Sequence, residues 1–231
     1  MPERTRGIVT LEAGRLFLID KPAGITSHDV VDRVRKLTGE KRVGHAGTLD
    51  PSATGLLVVG VGRGATRTLA TKLDGSKRYR ATARLGLAST TLDSEGELLE
   101  VTVPEFDRER LERVFETAGA MQTQVPPMIS ALKRNGVALY KLARRGWWIA
   151  REPRSVRIDE LSLIELNGWE ITFDVAGGGG LYVRTLVEQI GQLLGVPATL
   201  VKLRRTGIEP WRIEDALTLE DFETMGREGL L

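Results

Sequence analysis

Residues 56–61 (LLVVGV) form an apolar run with no polar interruption. The run is too short for a helix with one buried face and reads as a buried strand, so the fold must contain a sheet with this segment inside. Residues 15–20 (RLFLID) read as a second strand, followed by a Lys21-Pro22-Ala23-Gly24 turn and a helix that begins near Ser27. Thr26 and Asp29 have the spacing of a capping box, Val30, Val31, Val34 and Leu37 form one apolar stripe, and Gly39 supplies the stop. Tyr79, Ala81, Ala83 and Leu85 alternate with Arg78, Arg80, Thr82 and Arg84, the pattern of a strand with one basic face.

Further along, Leu111, Val114, Phe115 and Ala118 mark an amphipathic helix. Residues 156–166 and 169–175 read as two strands joined around Asn167-Gly168, a strong hairpin signal. After the glycine run 177–180 comes a helix with Leu186, Ile190, Leu193 and Leu194 inward, ended by Gly195 and Pro197. Tyr182 and Arg184 fall in its first turn, and Thr218 with Asp221 suggests a last short capped helix. Strands and helices follow one another without a βαβ period, which predicts an α+β fold with a mixed sheet.

Composition narrows the chemistry. The 231 residues carry 33 Lys+Arg against 31 Asp+Glu, a net charge of +2, and are 41% hydrophobic, enough to bury a core without disulfide or metal support. Cysteine is absent and the histidines are His28 and His45, which excludes thiol nucleophiles, iron–sulfur clusters, Cys-based zinc sites and His-rich metal sites. A nucleophile must therefore come from Asp, Glu, Ser, Thr, Lys or Tyr, and carboxylate catalysis leads. The longest uncharged stretch, residues 117–132, is polar and broken by Pro126 and Pro127, so a membrane span is not expected. The N-terminus has no apolar signal region, and a cytoplasmic protein is the expectation.

Between residues 133 and 157 the basic residues Lys133, Arg134, Lys141, Arg144, Arg145, Arg151, Arg154 and Arg157 face one acid, Glu152, with Tyr140, Trp147 and Trp148 among them. That mixture suits nucleic acid, since cations neutralise phosphates while flat rings stack on unpaired bases; it equally suits a solvated helix face with core aromatics. Residues 60–65 (GVGRGA) follow a strand and formally fit a dinucleotide fingerprint, but about twenty residues on, where an acid should meet the ribose, stands Ala83-Arg84-Leu85. Tight backbone packing is the better role, and a nucleotide cofactor is not expected. Arg184, at the positive end of a helix dipole, needs an anionic partner.

The most informative segment is residues 44–55 (GHAGTLDPSATG), directly before the buried strand. Pro51 keeps Asp50 out of the α region, and the glycines let backbone run close to a ligand. With His45 nearby, this frame presents the Asp50 carboxylate for chemistry.

Here the sequence resembles the catalytic loop of the tRNA pseudouridine synthase B family, which isomerises the T-loop uridine at tRNA position 55. Residues 20–27 (DKPAGITS) are similar to that family's first motif, 44–55 to its second and 76–79 (SKRY) to its tyrosine motif. Residues 124–128 (QVPPM) with 130–133 (SALK) resemble the insertion that grips the tRNA arm, 181–186 (LYVRTL) the arginine motif and 203–205 (LRR) the closing one. The resemblance implies Asp50 as catalytic aspartate, Tyr79 stacking on the flipped uracil, Arg184 pairing with Asp50 and His45 filling the space the base vacates. It implies Lys21 and Pro22 as braces of the loop, Leu203 beside the base, and Tyr182, Lys133, Arg134, Arg144 and Arg145 among the RNA contacts. The implied fold is a mixed, largely antiparallel sheet flanked by helices: one catalytic domain over 1–231, an RNA-gripping insertion at about 123–150, and no full C-terminal RNA-binding domain. The implied partner is the tRNA T stem-loop, bound by a monomer that uses no cofactor and no metal. Two rivals remain: a non-catalytic RNA-binding or RNA-folding protein, and a glycoside hydrolase that would need a second carboxylate.

Overall fold

The computed structural model describes residues 4–12, 14–72 and 75–229. They fall into two compact units, one built from the residues up to Tyr79 together with those from Arg204 onward, the other from Arg80–Leu203.

In the first unit the strand Thr54–Val61 is central. It runs antiparallel to Gly14–Lys21, with Arg15 opposite Val61 and Lys21 opposite Gly55, and antiparallel to Val43–Ala46, with His45 opposite Val59. At its start Thr54 and Gly55 pair in parallel with Arg204 and Arg205. Both faces are covered: Leu57, Val59 and Val61 pack with Val30, Val31, Val34 and Phe222, whereas Leu56 and Val58 pack with Leu16, Leu18, Ala65, Leu69 and Ile208. A strand sealed on both sides has no wet face to mark with polar residues, which is why its sequence does not alternate.

The helix Ser27–Thr38 starts as expected. The Thr26 hydroxyl accepts from the Asp29 amide at 3.1 Å, the Asp29 carboxylate accepts from the Thr26 amide at 2.7 Å, and Gly39 ends the helix at φ 67°. The Thr26 hydroxyl also donates to the Asp29 carboxylate at 2.7 Å, and that bond, then the one from the Thr26 amide, holds the Asp29 carboxyl below its ordinary value. The dinucleotide-like glycines serve packing: a Cβ on Gly60 would lie 2.7 Å from the Leu69 side chain and 3.1 Å from the backbone of Ala65.

In the second unit Ile158–Asn167 and Glu170–Gly177 form an antiparallel hairpin, with Gly168 at φ 59° in its turn. The strand that ends at Leu85 neighbours Glu170–Gly177, and its alternation is as read, with Ala81, Ala83 and Leu85 buried. The helix Arg108–Gly119 buries Leu111, Val114, Phe115 and Ala118, and Phe115 meets Phe173 edge-on at 5.6 Å. The helix Val183–Leu194 buries Leu186, Ile190 and Leu194, but Leu193 is turned toward solvent. Val183, Val187, Ile190 and Leu194 define the axis of the buried stripe, and Leu193 sits one residue, about 100°, away from Leu194 at its margin. Parallel pairings of Arg204–Arg205 on Thr54–Gly55 and of Leu217–Thr218 on Ile19–Asp20, among antiparallel neighbours, make the sheet mixed and mostly antiparallel, as expected.

Candidate active site

Asp50 opens a tight turn, its carbonyl accepting from the Ala53 amide at 3.1 Å. Two anchors hold this turn from the side of the Lys21-Pro22-Ala23-Gly24 segment. The Lys21 side chain is fully buried, and its ammonium donates to the carbonyls of Pro22 (2.8 Å), Ile25 (2.7 Å) and Pro51 (3.1 Å). The Gly24 amide donates to the same Pro51 carbonyl at 2.9 Å. On the other flank of Asp50, the buried Ser27 hydroxyl accepts from the Leu49 amide at 2.9 Å and donates to the Leu49 carbonyl at 3.1 Å. Residues 49 and 51 are thus fixed by side chains from a neighbouring turn and helix start, so the half-buried Asp50 between them has little backbone freedom. The brace expected of Lys21 is visible in these bonds; Pro22 contributes its carbonyl and is itself exposed.

Arg205 lies fully buried under the same loop. Its Nε donates to the Leu56 carbonyl at 2.7 Å and its Nη2 to the Gly47 carbonyl at 3.0 Å. The glycines of the loop exist partly for this side chain and its strand. A Cβ on Gly47 (φ 70°) would come within 3.2 Å of the Arg205 Nη1, and one on Gly55 (φ 106°) within 2.2 Å of the Arg205 carbonyl oxygen. Burial pushes the guanidinium below its ordinary pKa, while the nearly buried Tyr79 acts in the opposite direction. His45, on the strand Val43–Ala46, is held below its ordinary pKa by burial, then by Arg205 and His28, and is therefore neutral at neutral pH. Its Nδ1 and the Nη1 of Arg205 are buried without a hydrogen-bond partner among the described residues. Asp50, Lys21, His45, Tyr79 and Arg205 all belong to the first unit.

Sequence reasoning gave Arg205 no role of its own. Its neighbour Arg204 points to the other face and forms a bidentate pair with Asp20, at 3.0 and 2.6 Å. The available signal was the alternation of an Arg-Arg pair on a strand, which guarantees that one of the two points inward.

Arg184 belongs to the second unit, one residue inside its helix and only 4% exposed. It donates to the carbonyls of Ile129 (3.0 Å) and Thr91 (3.3 Å), and its Nε lies 3.6 Å from the Asp93 carboxylate. The anion that its place at the helix start demands is therefore present in Asp93, a residue the sequence did not single out. Tyr182 is the cap before that helix, not a residue of its first turn: its backbone amide donates to Gln124 Oε1 at 3.0 Å, and Gln124 Nε2 donates to its carbonyl at 3.3 Å. Gln124 thus holds the Tyr182 backbone by both its polar groups, while the Tyr182 side chain itself makes no capping bond.

Gln124 also roots the basic insertion. Thr123–Gln124 pairs with Arg154–Ser155, and beyond this ladder lie the small hairpin of Lys133–Arg134 with Val137–Ala138 and the short helix Leu139–Ala143. Lys133, Arg134, Arg144 and Arg145 are exposed, as are Trp147 and Trp148, each at 62%. The core reading of the two tryptophans is thereby excluded. Leu203 is half-buried.

Residues 35–183 match the model of the TruB family pseudouridylate synthase N-terminal domain, and residues 184–228 match that of the tRNA pseudouridylate synthase B C-terminal domain. The chain belongs to the TruB family of pseudouridine synthases. With that family it stands among the tRNA-modifying isomerases. It is 45% identical over 214 residues to tRNA pseudouridine synthase B of Syntrophotalea carbinolica, covering 92% of this chain and 70% of the relative. The relative of the same name from Stutzerimonas stutzeri is 43% identical, covering 96% and 72%. Among solved structures, a chain of a Cbf5-Nop10-Gar1 complex superposes with a TM-score of 0.73 at 28% identity, covering 95% of this chain and 57% of that one. A chain of an H/ACA ribonucleoprotein bound to a substrate RNA containing 2′-deoxyuridine gives 0.69 at 25% identity, covering 94% and 56%. This TruB-family chain thus spans little more than half the length of those two solved chains. No helix among its described residues is long and apolar enough to cross a membrane.

Proposed function

We propose that the protein converts uridine to pseudouridine at position 55 of the tRNA T loop, with Asp50 as the catalytic carboxylate. The observation that carries this reading is the double clamp on Asp50: a buried lysine holding residue 51 and a buried serine holding residue 49 fix the one aspartate of the glycine-rich loop. The kinship to relatives named for tRNA, and to a neighbour solved with a substrate RNA, supports the choice of substrate.

The reaction breaks the bond from uracil N1 to the ribose C1′, forms one from C5 to C1′, and exchanges the proton of C5 for one on N1. Nothing is oxidised or lost, so no cofactor enters the balance. It asks for one ionised carboxylate at the sugar or ring, a surface that holds the detached base while it turns, and a base for the C5 proton. Asp50 serves the first need and Tyr79 the second and third. Arg184 supports Asp50 by orienting its carboxylate, and Leu203 packs beside the uracil. Flipping a loop uridine costs a few kcal/mol, and one aromatic stack returns about 1–3 kcal/mol, so these terms nearly cancel. Net affinity then rests on phosphate contacts by Lys133, Arg134, Arg144 and Arg145, with Tyr182, Lys21 and Pro22 framing the site and His45 entering the gap left in the RNA. The protein acts in the cytoplasm as a monomer.

The test incubates the protein with a T-arm stem-loop carrying tritium at uridine C5. Isomerisation releases the label into water, and Asp50→Asn abolishes release. Retention of label by the wild type overturns the reading, and free uracil as product assigns a hydrolase instead.

A further inference from the structure

Between Arg84 and Arg108 the chain carries Asp93, Glu95, Glu97, Glu100, Glu105 and Asp107 and no Lys, Arg or His. Asp93 turns inward to Arg184, but Glu95, Glu97, Glu100 and Glu105 are exposed. Among these acids stand three apolar side chains in water: Leu98 is 50% exposed, Leu99 65% and Val101 40%. Apolar residues so placed add little to folding, since their value lies in area removed from water, and their clustering marks an interaction surface.

The backbone of this segment has an open side. Leu98–Glu100 pairs antiparallel with Leu87–Ser89, Leu99 lying opposite Ala88. The Glu97 carbonyl accepts from the Thr90 amide at 3.2 Å, and the Val101 amide donates to the Gly86 carbonyl at 2.8 Å. Residues 97, 99 and 101 therefore direct their peptide groups at that partner strand, and by the alternation of an antiparallel ladder Leu98 and Glu100 direct theirs away from it. Among the described residues no other strand pairs with this edge. Such an edge is a template for one further strand. Beside it runs a groove of about 490 Å³, lined in part by Val101, Val103, Arg84 and Trp169. The Trp169 wall is firm: the Phe106 ring lies 5.7 Å away, and the Trp169 carbonyl accepts from the Leu85 amide at 2.8 Å.

We propose that Leu98–Glu100 and this groove dock another protein, through an extended segment in which cationic and apolar residues alternate. The backbone of that segment adds a strand beside Leu98 and Glu100, one apolar side chain enters the groove against Trp169, and its cations meet Glu97, Glu100 and Glu105. Charge decides against other occupants. RNA would bring phosphates to exposed carboxylates, and a second copy paired about a twofold axis would set this acidic strand against itself.

The probe is a fluorescently labelled peptide of alternating lysine and valine, titrated with the full chain and followed by anisotropy. Saturable binding is expected, with slowed amide exchange at Leu98 and Glu100. Glu97→Lys together with Glu100→Lys should raise Kd about tenfold or more, because like charges then face each other. Full N-methylation of the peptide backbone should raise it about tenfold through the lost interchain hydrogen bonds. Leu99→Ser, made at a side chain already in water, should weaken binding while circular dichroism stays unchanged. Absence of binding, equal binding of the methylated peptide, or a Kd indifferent to the charge reversal overturns the proposal. Self-association of the parent protein that Leu99→Ser abolishes overturns it too, and gives the face to a second copy. The Kd for the T-arm stem-loop should be the same in Leu99→Ser as in the parent; a weakened one gives the face to RNA and likewise ends the proposal.

Discussion

The loop around Asp50 and the basic insertion after Gln124 use charge in opposite ways. Around Asp50 the cations are inside: Lys21 and Arg205 are fully buried and direct their donors to backbone carbonyls of the protein's own chain. In the insertion Lys133, Arg134, Arg144 and Arg145 stand in solvent. A buried cation bonded to carbonyls of its own chain is a fastener, costly to disturb and insensitive to salt, whereas an exposed one is available to a phosphate and screened within about 10 Å at 0.1 M salt. Under the proposed function, position and affinity fall to two different regions, and each can be broken while the other is watched.

The largest effect is expected from Asp50→Asn. Tritium release should fall by on the order of a thousandfold or more while the Kd for the T arm stays within about threefold, as for removal of a group that acts chemically. A parallel loss of binding would show that Asp50 serves affinity as well as chemistry.

Next comes Arg205→Met. It leaves the buried Leu56 carbonyl without its donor, at about 1–3 kcal/mol, frees the carbonyl of the exposed Gly47, and should lower the urea midpoint and the catalytic rate together. Gly47→Ala, whose Cβ would meet the Arg205 guanidinium at a φ of 70°, should reproduce this in weaker form. If the rate falls and the midpoint does not move, Arg205 acts on substrate and is not merely a fastener.

Replacing Lys133, Arg134, Arg144 and Arg145 by alanine should act on affinity alone. The slope of log K against log salt is expected to fall by roughly 0.7–0.9 for each phosphate no longer neutralised, with thermal stability unchanged. An unaltered slope would assign phosphate binding to other residues.

The smallest effect concerns pH. His45 is held below its ordinary value of 6.5 in the folded state. The unfolded chain therefore takes up a proton first as pH falls, so the stabilising contribution is complete above about pH 6.5 and drains away below it. Urea midpoints measured from pH 7.5 to 5 should decline, and His45→Gln should flatten part of that decline. His28, exposed on its helix, serves as the control.

Much of this arrangement could be read in advance where neighbours along the chain set the structure. The capping box of Thr26 and Asp29, the Gly168 hairpin, the alternation from Tyr79 to Leu85 and the packing role of Gly60 are local matters, decided by backbone conformation and period. Leu193 escaped because periodicity locates a stripe but not the width that the neighbouring layers cover. Tyr182 escaped because its backbone is held by Gln124, 58 positions away.

The amino-acid order by itself determined several of the strands and helices, though not the helix Arg63–Lys72 or the strand Ala198–Ile208, that Asp50 sits in a stiff turn ahead of a sealed strand, and that positive charge gathers between residues 133 and 157. The tertiary structure alone decided that Arg205 faces inward while Arg204 faces Asp20, that Asp93 answers Arg184, and that Trp148 stands in solvent and does not fill the core. Local order follows from torsional preference and hydrophobic period, which act over a few residues. The partner of a buried cation, and the face of a strand that is sealed, depend on segments that meet only when the chain closes on itself.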